Sequence, residues 1–226
     1  MSDSTLTDDR PSHHIAQGFR DHFALAFTKM LRLIADTFFA QRYGHRAIVL
    51  ETVAAVPGMV GATITHLNCL RRMAADDGWI HTLLEEAENE RMHLMTFVAL
   101  AQPTKFERLL VMFTQWIFYV GFFFLYLLSA RTAHRVVGYF EEEAVLSYSQ
   151  YLAQIESGQS PNVAAPKIAI DYWNLAADAK LSDVVRAVRA DEANHRDVNH
   201  AFADQLAIRA SGESKPGSSG SGLSDQ

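Results

Sequence analysis

From Leu109 to Ala130 the chain runs for 22 residues without a charged side chain, LLVMFTQWIFYVGFFFLYLLSA. A stretch this long and apolar must cross a bilayer, lie in its surface, or fill the core of a helical protein. Arg108 and Arg131 bracket it, and Trp116, Tyr119 and Tyr126 suit a membrane–water boundary. Gly and Pro are sparse between His22 and Ala210, apolar residues recur at helical spacing, and strand-like alternation is weak, so the chain reads as all-α. The spacing predicts helices at about 20–40, 45–73, 78–101, 104–129, 131–156 and 181–208. Asp76-Asp77-Gly78 makes a turn. Gln102-Pro103 ends a helix, because proline disfavours helical geometry in the residue before it. Gly158 to Pro166 reads as a loop, and Ser182 can cap the last helix.

Two Glu-x-x-His words occur, Glu90-Arg-Met-His93 and Glu192-Ala-Asn-His195. At this spacing both side chains lie on one face of a helix and reach one point. One such word is weak; two on separate helices point to a metal site. The pattern is complete when two further helices each supply an inward glutamate. Glu51 sits in IVLETVAAVPGM, on a face with Ala47, Ile48, Ala54, Ala55 and Gly58. An unpaired carboxylate on such a face is costly. Of Glu141, Glu142 and Glu143, consecutive residues point about 100° apart, so one of the three is expected to face inward. Glu141 shares its stripe with Val137, Ala144, Val145, Tyr148, Leu152 and Ile155, the most apolar of the three faces, and is the choice. The stripe of Glu142 carries Arg135, Tyr139, Ser149 and Glu156, and His200 reads as a surface or outlying histidine. Glu51, Glu90, His93, Glu141, Glu192 and His195 thus form a candidate two-metal set, in which four carboxylates neutralise two divalent ions. Oxygen and imidazole donors suit iron or manganese.

The metal set constrains the apolar run. Glu90 and His93 precede it, and Glu141, Glu192 and His195 follow it. A single crossing would leave these groups on opposite sides of a bilayer. No other segment is expected to be long and apolar enough for a second crossing. The run is therefore expected to lie in the membrane surface, with the first helix beside it (Phe23, Phe27, Leu31, Phe38 and Phe39 among Lys29, Arg32 and Arg42).

A formal charge of −6 argues against a nucleic-acid partner. The one cysteine, Cys69, excludes an internal disulfide and fits a reducing compartment. Three parts are expected: an N-terminal polar arm over 1–19, a helical domain that carries the candidate metal set over 20–208, and a disordered Gly/Ser-rich tail over 209–226.

LETVAAVPGMV (50–60), LLEEAENERMHLMTF (83–97), YFEEEAVLSY (139–148) and RADEANHRDVNH (189–200) closely resemble the alternative oxidase family. The likeness runs from about Asp21 to Leu206. It implies a ferritin-like four-helix di-iron bundle with two additional membrane-surface helices. It also implies a ubiquinol oxidase that reduces O2 to water at two iron ions without pumping protons. The six residues above match the family's iron ligands, and Tyr148 matches a tyrosine linked to activity. Arg32, Asp36, Arg46, Leu50, Glu143, Ala144 and Ser147 match positions around the quinol pocket. Asn89, Asp191 and Trp173 match positions that support the ligands. His66, Leu70, Arg71 and Met73 match a homodimer interface. The implied location is a membrane surface, the cytoplasmic face of a bacterial inner membrane or the matrix face of a mitochondrial one. From the residues alone, two other readings share these features: a ferroxidase or iron-storage bundle, and a non-enzymatic membrane-associated helical protein.

Overall fold

A computed structural model describes residues 14–39, 43–101 and 105–211, with the side chains of 38, 39, 43–46, 106 and 107 outside that description. Among the described residues seven helices follow one another: α1 (Gly18–Phe39), α2 (Tyr43–Arg72), α3 (Trp79–Ala101), α4 (Lys105–Leu128), α5 (Ala130–Glu156), α6 (Lys167–Trp173) and α7 (Leu181–Ser211). No strand occurs among the described residues; Ala164 and Lys180 form an isolated antiparallel bridge. The long helices begin and end within three residues of the positions that the periodicity predicts. α6 was not anticipated. It lies in a stretch taken as connection, begins after Pro166 and ends on Asn174 in the left-handed region.

α2 packs on α3 and α5 on α7, and these two pairs form the bundle. Gly58 allows the first pairing to be close, because a Cβ there would stand 2.4 Å from the Leu83 carbonyl oxygen. Pro57 interrupts the hydrogen bonding of α2 just before it. The Val53 carbonyl loses its donor there, and one residue earlier the Thr52 carbonyl accepts from the Gln115 side chain of α4, at 3.1 Å. α1 lies on α5, and α4 lies across α2 and α5. Ser129 alone separates α4 from α5, its hydroxyl accepting from the Thr132 N–H to cap the second of them.

The expectation of one membrane-length segment needs correction. α2 is also long and apolar enough over Ala47–Arg72, but most of that stretch is buried, whereas little of the Arg108–Leu128 stretch of α4 is. Small residues explain the difference: Gly58 and Gly61 let Leu83 and Tyr126 close over α2. α4 points Leu109, Met112, Phe113, Trp116, Ile117, Phe124, Leu127 and Leu128 outward, with Trp116 67% exposed. α1 exposes Phe19, Phe23, Met30, Leu33 and Ile34. Tyr126, expected at a membrane boundary, is instead buried against α2.

Candidate metal centre

Each bundle helix sends carboxylate or imidazole groups to the same interior space. Glu51 comes from α2, Glu90 and His93 from α3, Glu141 from α5, and Glu192 and His195 from α7; all six are buried. One donor atom from each of Glu51, Glu90, His93 and Glu192 lies within 4.8 Å of the others. His93 Nδ1 stands 3.3 Å from oxygens of Glu51, Glu90 and Glu192. His195 Nδ1 stands 2.7 Å from the other Glu90 oxygen and 3.9 Å from the other Glu192 oxygen. Glu90 and Glu192 therefore each reach from one imidazole to the other. The two rings are 6.2 Å apart.

These atoms crowd together without satisfying one another. Glu51 Oε2, both Glu90 oxygens, His93 Nδ1, Glu192 Oε2 and His195 Nδ1 are buried and lack a hydrogen-bond partner of acceptable geometry. Buried polar atoms are normally partnered, so their convergence is the mark of a cation site. Hard carboxylate oxygens with two imidazoles and no thiolate suit iron or manganese. The donor set fits such ions, which Glu90 and Glu192 would help to hold.

Burial and the neighbouring carboxylate of Glu90 push Glu51 and Glu192 up to about 8. Burial and then Glu192 hold Glu141 well above the ordinary range. Burial pushes Glu90 the same way, but His93 and His195 outweigh it and hold its carboxyl well below. Burial opposes charging of His195, yet Glu90 raises it to about 9. The cluster needs compensating positive charge, for which protons and divalent ions compete.

The far side of His93 is held from outside. Its Nε2 faces Asp191 Oδ2 at 3.2 Å, and that oxygen also accepts from the Asn89 amide at 3.0 Å and the Trp173 indole at 2.8 Å. The Trp173 ring stacks on His93. The unforeseen α6 supplies this tryptophan at its last residue. Tyr148 is buried on α5, packs against Phe97, and donates its hydroxyl to Glu51 Oε1. Burial and the Glu51 charge raise it well above an ordinary phenol.

A cavity of about 420 Å³ adjoins the carboxylates. Glu51, Glu141, Tyr148 and Glu192 line it, and α1 and α4 line its opposite reach with Ile34, Leu110 and Thr114. Arg32, Leu50, Glu143, Ala144 and Ser147 line it as well. Arg32 is paired with Glu143 and reaches Asp36 at 3.3 Å. Asp36 stands behind Arg32 rather than on the wall, and the side chain of Arg46 lies outside the described residues.

Two features escaped the sequence reading. Glu142 is not on a solvated face. It is buried, accepts the His14 N–H at 2.6 Å, and meets His200 Nε2 at 3.1 Å. His200 is buried too, with its Nδ1 2.9 Å from Arg135, which pairs with Asp21 and Asp204. The other omission is a layer of Glu86, His134 and Asn199, all buried, one or two turns from the candidate donors. Its signal was available: Glu86 precedes Glu90 by four residues, Asn199 follows His195 by four, and His134 precedes Glu141 by seven, so all share the ligand stripes.

The family model for alternative oxidase matches residues 1–204. The chain belongs to the alternative oxidase family. It is 57% identical over 206 residues to the mitochondrial ubiquinol oxidase of Mangifera indica, covering 91% of this chain and 64% of that protein. It is 56% identical over 196 residues to the mitochondrial ubiquinol oxidase of Batrachochytrium dendrobatidis, covering 87% of this chain and 62% of that one. The corresponding values for mitochondrial ubiquinol oxidase 2 of Arabidopsis thaliana are 55% over 201 residues, 89% and 57%. The chain thus spans about three fifths of the length of these relatives. The alternative oxidases are di-iron proteins, and the buried Glu and His cluster of this member is able to hold such ions.

Proposed function

We propose that this chain is a ubiquinol oxidase, in which two quinols give four electrons and four protons to one O2, yielding two quinones and two waters without pumping protons. The observation that carries this reading is the cavity that joins the exposed apolar helices to the carboxylate cluster. The names of the relatives supply the substrate. Glu51, Glu90, His93, Glu141, Glu192 and His195 are the proposed ligands of two iron ions, which when bound supply the electrons and the site at which oxygen is reduced. Arg32 and Ser147 bind the quinol ring oxygens, with Asp36, Arg46, Leu50 and Ala144 around them. Glu143 takes a proton from the quinol hydroxyl. Tyr148 gives an electron as its hydroxyl proton passes to Glu51, and a quinol returns both. Asn89, Asp191 and Trp173 orient His93.

The same reading places α1 and α4 in a lipid surface, where the apolar tail of the quinol would enter between them. The ligands come from both sides of α4 in sequence and meet in one space, which a surface position permits and a single crossing forbids. Such a surface is the cytoplasmic face of a bacterial inner membrane or the matrix face of a mitochondrial one. His66, Leu70, Arg71 and Met73 are exposed, Met73 at 91%, and are proposed to pair two copies. The decisive experiment is oxygen uptake by the purified, iron-loaded full chain driven by a short-tailed ubiquinol. Consumption of about two quinols per oxygen, set by the balance above, is expected; iron-loaded protein that consumes no oxygen would overturn the reading.

A further inference from the structure

One helical turn from the Glu90–His195 contact lies a buried polar layer that the oxidase chemistry above does not use. Glu86 is one turn before Glu90 on α3, and Asn199 is one turn after His195 on α7. The Asn199 amide nitrogen stands 2.9 and 3.0 Å from the two Glu86 oxygens and 3.0 Å from the carbonyl oxygen of His195. This bridge ties the turn that carries one metal ligand to the turn that carries another.

The orientation of that amide is fixed. A backbone carbonyl can only accept, so the atom facing the His195 oxygen must be the NH2 group, whatever the protonation of Glu86. Asn199 Oδ1 therefore faces His134 Nδ1, at 2.9 Å, and that nitrogen must carry the proton. His134 Nε2 is then an acceptor, and it receives the Tyr126 hydroxyl of α4 at 3.0 Å. Burial pushes His134 down to about 4, which keeps the ring neutral and the tautomer single at ordinary pH. Trp79, Tyr126 and Phe202 surround it with edge-on ring contacts 5.2 to 5.7 Å between centroids, so it has little room to turn. An amide in the middle of the line does not relay protons readily, so the arrangement serves orientation rather than proton transfer.

We propose that His134 is a positioning residue for the His195 side of the metal centre, acting through Asn199 and Glu86; this rests on the di-iron reading above. Without a donor at Nδ1, the Asn199 carbonyl loses its partner and the amide is held at its nitrogen alone, by Glu86 and the His195 carbonyl. The cross-tie between the Glu90 and His195 turns then loosens. Outlying partners of this kind are worth about 10- to 100-fold in metal affinity.

The test uses two substitutions that keep different halves of the ring's function. In His134→Asn the amide nitrogen takes the place of Nδ1 and can still donate to Asn199. In His134→Gln the polar end reaches the place of Nε2, keeps Tyr126 and abandons Asn199. The readout is the rate at which the iron-loaded full chain, in mild detergent, gives up ferrous iron to a chelator, with thermal melting followed in parallel. His134→Gln is expected to release iron about 10-fold faster than the parent or more, and His134→Asn at close to the parent rate. Equal rates in both variants, or the reverse order, would overturn the proposal. Should His134→Gln not accumulate as folded protein, Asn199→Asp answers the same question. It keeps shape and the acceptor toward His134 but replaces the donor to Glu86 and His195. Accelerated release supports the cross-tie and parent-like release overturns it. A parent chain that takes up no iron would overturn the metal reading and this proposal with it, whereas a parent that holds iron while the variants match it would overturn this proposal alone.

Discussion

The interior of the bundle and its outer layer distribute polarity in opposite directions. Between α2, α3, α5 and α7 the chain buries Glu51, Glu86, Glu90, Glu141, Glu142 and Glu192. On α1 and α4 it leaves phenylalanine, leucine and tryptophan exposed. Each arrangement is costly for a protein surrounded only by water. Buried carboxylates require a compensating cation, and an apolar face of this extent calls for a covering surface. In the proposed function the two costs are met in different ways, one by metal ions and one by lipid, so they should be separable by mutation.

The largest effect is expected inside. Glu51→Ala or Glu141→Ala removes a proposed iron ligand and should abolish quinol-driven oxygen uptake and lower iron content, measured by metal analysis of purified protein. Glu142→Ala provides the contrast. It leaves His200 Nε2 and the His14 N–H without the carboxylate that accepts from them, so melting should fall as expected for a loss of about 1–3 kcal/mol. Iron in the protein that stays folded should be retained. Equal iron loss in Glu141→Ala and Glu142→Ala would erase the distinction between the two neighbours.

Next comes Tyr148→Phe, which removes one hydroxyl and preserves the ring against Phe97. Iron content and melting should stay near the parent while most quinol oxidation is lost; full activity would make Tyr148 a packing residue.

The outer layer is expected to respond in the opposite sense. Phe113→Ser with Trp116→Ser should reduce sedimentation with lipid vesicles severalfold and leave iron content unchanged, because both side chains point away from the bundle. Unaltered vesicle binding would remove α4 from the lipid contact. Tags placed after Gln102 and after Gln159 should report one side of the membrane, and opposite sides would rule out a surface position.

The smallest effect concerns pH. The folded chain holds His134 at about 4, against 6.5 for the free side chain. Between those values the unfolded chain binds a proton that the folded one refuses, so stability is present above pH 6.5 and lost as pH falls toward 4. The shift corresponds to about 3 kcal/mol for this group. His134→Asn should flatten this part of the stability curve measured by urea unfolding, and an unchanged slope would show that other groups govern it.

Much of the interior was legible because helical spacing is a local property. Glu90 with His93 and Glu192 with His195 announce a shared face within four residues of sequence, and Glu51 stands out for its apolar neighbours. Glu142 was misread for a related reason. Its own stripe looks polar, but the groups that satisfy it, His14 and His200, come from elsewhere in the chain. α6 has only seven residues, too few for a period to show. Hydropathy could not separate α2 from α4, since both are long and apolar. The discriminating signal was residue size, with glycines at the contacts of α2 and bulky rings along α4.

Gly58 is seven residues beyond Glu51 on α2, and it faces the turn of α3 that leads to Glu90 and His93. Its missing methyl group works as a gauge for the bore of the bundle. Alanine there would act as a shim of atomic thickness driven between two walls that bear proposed ligands, moving Glu51 away from His93 without changing either. The calibre of the metal chamber is thus written partly in a residue that contributes no donor atom to it.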